Sequence, residues 1–261
     1  MEIVGRGFTA RHLAPLADRH PDVTVIAAGV STTAMESVAE FDREAELVYR
    51  VLRRCRAAHR TVVFFSTSSH AIYGGVDSPG DEDGPVYPTP VYGRHKLALE
   101  TAVRSVGVDW LVLRLSHLVG DGQPPHQLIP QLVAGVLAGR VTVHRGAHRD
   151  LVDVCHMVVA LDRLLTDRVR NTVVNIASGI QQPTEEIAAG VQLRLGRIAE
   201  WHLVDQPTSP TPVSTARLRE LVPEARSFGF GPDYLSTLLD RYVAGGDHLT
   251  GHGIPRHQER T

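Results

Sequence analysis

Tyr92 and Lys96, in the run Tyr-Gly-Arg-His-Lys, place a phenol and an ammonium on one face of a helix at its start. An ammonium beside a phenol stabilises the phenolate and draws its pKa from about 10 towards neutrality. The oxygen can then trade protons with a substrate hydroxyl or carbonyl. That spacing alone arises often by chance, but Lys96 is the only lysine among 27 basic residues. Codon usage explains a bias towards arginine; it does not explain the one position where a compact, tunable cation is kept. Upstream, Ser66-Thr67-Ser68-Ser69 follows the apolar run Val62-Val63-Phe64-Phe65. This puts a hydroxyl cluster at the C-terminal end of a strand, the edge of a parallel sheet where ligands bind.

The elements that must position these groups are written in the hydrophobic pattern. Glu2–Val4 reads as a short strand, Gly5-Arg6-Gly7-Phe8 as a glycine turn, and Ala10, Leu13, Leu16 and Ala17 as one face of a helix. Strands are predicted at Val23–Gly29, Thr61–Phe65, Trp110–Leu115, Val141–His144 and Thr172–Ile176. Helices are predicted near 40–58, 96–106, 128–138 and 154–165. The alternation indicates an α/β, Rossmann-like parallel sheet with helices on both faces. Residues 1–180 form this core, with 141–180 including segments that cross to the substrate side. A small, mainly helical satellite spans 181–244, and the Gly- and His-rich residues 245–261 read as a flexible tail.

In order along the chain, seven segments resemble the extended short-chain dehydrogenase/reductase superfamily, of the sugar-nucleotide epimerase/dehydratase type. They are the glycine turn at Gly5, Ala27-Ala28-Gly29-Val30-Ser31, Ser66 to Gly74, the Tyr92/Lys96 pair, Leu113-Arg114-Leu115 with Val119 to Gln123, Arg149 to Val154, and Val174 to Gly179. The resemblance implies Tyr92 as acid/base, Lys96 as its electrostatic partner and ribose contact, and Ser69 as the hydroxyl that polarises the reacting C–O, with Ser68 or Thr67 as alternatives. It implies a cofactor seat at Gly5, Arg6, Gly7, Phe8, Ala28, Gly29 and Lys96, and substrate contacts at His117, His144 and Arg149. Family members commonly form homodimers through a bundle that includes the Tyr92 helix. The departures are also informative. The glycine turn is degenerate, and the short interval between it and Val23 lacks room for two strands that family members carry there. Those strands support the adenine half of a dinucleotide. The expected cofactor is therefore NADP(H) or NAD(H), weakly bound, or none.

Two functions follow: an NAD(P)-dependent reductase or epimerase of a nucleotide-linked (deoxy)sugar, or a family-shaped protein without nicotinamide that moves protons, as an isomerase, dehydratase or cyclase, or only binds a ligand. Composition narrows the remaining classes. At 261 residues, 43% hydrophobic and 21% charged, the chain can bury a full core. A net charge of −2 lacks the footprint of a nucleic-acid or anionic-membrane binder. No apolar run reaches a bilayer's thickness. Two cysteines, Cys55 and Cys155, suit a reducing cytoplasm, and the 14 histidines show no metal-ligand spacing, so no metal is expected.

Overall fold

The computed structural model describes residues 1–30, 37–74, 78–205 and 210–244. Ser31, the polar stretch at 206–209 and the tail at 245–261 lie outside the described residues. In chain order the elements are β1 (Glu2–Val4), α1 (Phe8–Leu13), β2 (Val23–Ile26), α2 (Val38–Ala57), β3 (Thr61–Thr67), α3 (His70–Tyr73), α4 (Val91–Arg104) and β4 (Trp110–Leu115). There follow β5 (His117–Val119), α5 (Leu128–Leu137), β6 (Arg140–Arg145), β7 (His148–Arg149), β8 (Leu151–Asp153), α6 (Val154–Thr166) and β9 (Thr172–Ile176). The chain continues through β10 (Gln182–Pro183), α7 (Thr184–Leu195), β11 (Glu200–Asp205), α8 (Ala216–Leu221) and α9 (Tyr234–Leu239).

The main sheet runs β1-β2-β3-β4-β9, every pair parallel. Its strands are near-continuous apolar runs because both faces are covered. Val23, Val25, Val63, Phe65, Leu111 and Leu113 meet Phe8 and Leu13 of α1 and Met157, Leu161 and Leu164 of α6. Ile26, Val62, Phe64 and Val112 meet Val48, Val51 and Leu52 of α2 and Leu99 and Val103 of α4 on the other face. The connections β1 to β2 and β2 to β3 step the same way across the sheet, yet α1 and α2 lie on opposite faces. These two crossovers therefore have opposite hands, although simple parallel crossovers are right-handed in about 98% of cases. The short interval predicted from sequence is visible here: among the described residues β1 pairs with β2 alone and forms the sheet edge.

A second core gathers Leu132 and Val136 of α5, Val141 and Val143 of β6, Val191 of α7 and Leu238 of α9. Its β11 pairs in parallel with β6, a strand the polar sequence Glu-Trp-His-Leu-Val-Asp does not announce. Leu218 and Val222 return to pack under α6, so the C-terminal helices serve both cores.

Candidate active site

The site begins where α4 meets α3. A methyl group on Gly93 would lie 1.7 Å from the Ala71 carbonyl oxygen, so only glycine lets the first turn of α4 approach this closely. That approach buries Tyr92 and Lys96 beneath the C-terminal ends of β2 and β3, at 6% and 4% exposure. Lys96 Nζ lies 5.8 Å from the Tyr92 ring centre and 5.4 Å from that of Phe64. It donates at 2.6 Å to Oε1 of Glu44, on α2. The other carboxylate oxygen accepts from the Val30 amide and pairs with His95 Nε2, each at 3.1 Å. Glu44 escaped the sequence reading, although a signal existed: it interrupts the buried stripe of α2 that runs through Phe41, Val48, Val51, Leu52 and Cys55.

This arrangement corrects one expectation. The Tyr92 hydroxyl is not drawn towards neutrality but held above its ordinary value, because burial outweighs the pull of Lys96 and Glu44 opposes that pull. Thr67 is the hydroxyl neighbour that acts on it, pulling weakly against burial. Thr67 Oγ1 in turn donates to Ser69 Oγ at 2.9 Å. Ser69 also caps α3, its Oγ accepting from the Ala71 amide. Ser68, which with Ser116 lines the same cavity as Ser69, lies 2.8 Å from Ser116 between hydroxyl oxygens. Of the three alternatives, Thr67 and Ser69 are bonded to each other, with Thr67 beside Tyr92.

Ser69 opens on a cavity lined by His70, His117, Arg149 and Asp150. Burial and the Arg149 charge hold the His117 imidazole down at about 3 and also lower His70, so both rings are neutral at ordinary pH. The Asp150 carboxyl is pushed up to about 6 by burial, against donors from Ser178 and Gly179 that occupy it. Among the described residues no carboxylate pairs with Arg149, whose Nη1 donates only to the His148 carbonyl at 2.8 Å. His144 sits on β6, outside this cavity, its carbonyl taken by the Thr184 hydroxyl. His70 is a cavity group that sequence reasoning overlooked, though it directly follows Ser69.

In the turn after β1, Gly5 has φ +143°, and a methyl there would fall 2.4 Å from the Ala27 carbonyl oxygen. The turn after β1 thus packs against the Ala27-Ala28-Gly29 loop after β2. Gly7, the N-cap of α1, faces open space, and Arg6 beside it is exposed. Phe8 is core, and Arg11 is tied to the Gly122 carbonyl at 2.7 Å.

Residues 9–177 match the NAD dependent epimerase/dehydratase family. The chain belongs to that family. Among characterised members it is 28% identical over 183 residues to the dTDP-glucose 4,6-dehydratase of Streptomyces niveus, covering 66% of this chain and 54% of that protein. It is also 28% identical over 181 residues to the dTDP-6-deoxy-L-talose 4-dehydrogenase (NAD(P)(+)) of Kitasatospora kifunensis, covering 64% and 57%. It therefore spans a little over half the length of these relatives. The fold is similar to that of RMD from Pseudomonas aeruginosa complexed with NADPH, with a TM-score of 0.75 at 21% identity over 93% of this chain and 97% of that one. The Thermus thermophilus UDP-glucose 4-epimerase, solved with NAD, aligns with a TM-score of 0.71 at 22% identity over 91% and 81%.

Proposed function

We propose that this family member reduces a keto group on a nucleotide-linked deoxysugar, with Tyr92 as the proton donor. The observation that carries the reading is that the Tyr92 hydroxyl lies beside Thr67, whose own hydroxyl donates to Ser69 on the wall of the cavity that holds Arg149. A half-buried guanidinium without an acidic partner is a seat for an anion, and a diphosphate fits its planar fork. Ser69 would hydrogen-bond the substrate carbonyl beside it. A phenol held above its ordinary pKa keeps its proton at neutral pH, which suits donation to the alkoxide formed as a ketone is reduced. His117 and His70, neutral and half-buried in the wall, are fitted to hydrogen-bond sugar hydroxyls. A 4-dehydrogenase of a dTDP-deoxysugar among the relatives supports the substrate class.

The residues present fit the nicotinamide half of a dinucleotide better than its adenine half. The open Gly7 turn and the exposed Arg6 would take the pyrophosphate or a 2′-phosphate, and Lys96 the ribose next to the nicotinamide; when bound, NADPH or NADH would supply the hydride. Beyond β1 the described residues offer no shelf for adenine. That same edge favours the second reading, in which Tyr92 moves protons without redox chemistry, as in an isomerase, dehydratase or cyclase.

Titrating NADPH fluorescence with the protein separates the two. Binding, followed by NADPH consumption when dTDP-linked 4-keto-6-deoxyhexoses are supplied, is the expected result. No binding of either nicotinamide cofactor, with proton exchange into the ketosugar still catalysed, would replace reduction by the redox-free reading.

A further inference from the structure

We propose that Glu44 is a positioning residue of this site, fixing the Lys96 ammonium under the β2 loop and dividing its attraction between its own carboxylate and the Tyr92 oxygen. The inference rests on the roles given to Tyr92 and Lys96 above and adds a third member that controls them.

Three elements converge on the carboxylate. From α4 come Lys96 and His95, from the β2 loop the Val30 amide, and α2 supplies Glu44 itself. The Glu44, Lys96 and His95 side chains are 1%, 5% and 14% exposed. A methyl on Gly29 would fall 2.1 Å from Glu44 Oε1, so the carboxylate fills the space that a side chain after β2 would claim. Loop and carboxylate are thus mutually fitted. A buried ion pair is a poor device for stability alone, since apolar groups of the same volume often do as well. Its placement on the only lysine, beside a buried phenol, has an electrostatic consequence. The charged groups facing Tyr92 are Lys96 and Glu44, of opposite sign and opposite effect on the hydroxyl, while Glu44 is faced by Lys96 and His95. Neutralising the carboxylate without changing its shape leaves the ammonium acting on the phenol alone.

The experiment is an NMR titration of Tyr92 in protein labelled with ¹³C at the tyrosine ring carbon bearing the hydroxyl, with the signal assigned by Tyr92→Phe. In Glu44→Gln the Tyr92 midpoint is expected to fall by about one pH unit or more. Glu44→Asp, which keeps the charge, should leave it near the wild-type value. His95→Gln, which removes a competing donor and leaves the ion pair, should raise the midpoint or leave it beyond the titrated range. This last variant keeps the test alive if Glu44→Gln does not fold. A folded Glu44→Gln with an unmoved Tyr92 midpoint would overturn the proposal and reduce Glu44 to a structural group, as would a lowered midpoint in His95→Gln. The titration needs neither substrate nor cofactor. A moved midpoint in a protein that reduces no ketosugar therefore refutes the functional reading and leaves the Glu44 assignment standing.

Discussion

Each side chain of the site makes a separable demand. Tyr92→Phe deletes the proton carrier, and Lys96→Arg keeps the charge but replaces a point donor with a wide plane. Each is expected to lower turnover about 10²- to 10⁴-fold, measured by NADPH oxidation, with an unchanged circular dichroism spectrum. Arg149→Ala should weaken nucleotide-sugar binding by about 2–5 kcal/mol, read by calorimetry, because it removes one partner of a desolvated ion pair. His117 gives a pH signature. Its folded-state pKa of about 3 lies below the ordinary value of 6.5, so between these values the unfolded chain binds the extra proton. Stability is then complete above the unfolded pKa and is lost as pH falls. The slope is up to about 1.4 kcal/mol per pH unit. The raised Asp150 acts with the opposite sign between 3.8 and about 6, so the comparison must be with His117→Gln. Wild type should lose melting temperature more steeply than this variant between about pH 6.5 and 4.5; parallel curves would show that the ring is not buried as a neutral group. The grouping of Ser69, His117 and Arg149 around one cavity, and of Lys96 beside Tyr92, could be anticipated because each sits in a short motif; the roles proposed for them await the variants above. Glu44 could not be anticipated, because its meaning lies in a partner on another helix, and a lone acid in an apolar stripe does not name its cation.

At the scale of elements, the site depends on how closely α4 lies on α3. Gly93→Ala would drive a methyl into the Ala71 carbonyl. The helix must shift, at a cost of about 1–3 kcal/mol, carrying Tyr92 and Lys96 out of line with Thr67 and Glu44. Thermal melts and kcat together test this: a large loss of kcat with a modest fall in melting temperature is expected, whereas an unaffected enzyme would show that α4 has slack. The strands of the main sheet were readable because burial on both faces writes each as a continuous apolar run. The strand β11 was not, since most of its side chains face solvent and its pairing with β6 is set by the chain's path through the second core. The hydroxyl register was half-readable. The family motif singled out Ser69, which the structure sets on the cavity, but the position of Thr67 between Ser69 and Tyr92 follows from where β3 ends.

For the whole molecule, the position of β1 at the sheet edge is expected to set the affinity for a dinucleotide. With no strand beyond it among the described residues, adenine would gain little apolar burial, and grip would fall to the glycine turn, Arg6 and Lys96. Weak binding with a preference for NADPH over NADH is expected, fading as salt screens the exposed Arg6 contact. Dissociation constants for both cofactors at low and high ionic strength, in wild type and Arg6→Ala, check this; tight, salt-insensitive NADH binding would contradict it. The reversed hand of the β1–α1–β2 connection has an engineering consequence. A crossover that stepped the other way from β1 with its helix on the same face as α1 would share the hand of the β2–α2–β3 unit. The segment from Asp18 to Asp22 is therefore a splice point: grafting two strand–helix units there would return β1 to the sheet interior and rebuild the missing shelf while α1 keeps its seat against α6. A gain in dinucleotide affinity from that graft would turn a shortened enzyme into a modular one.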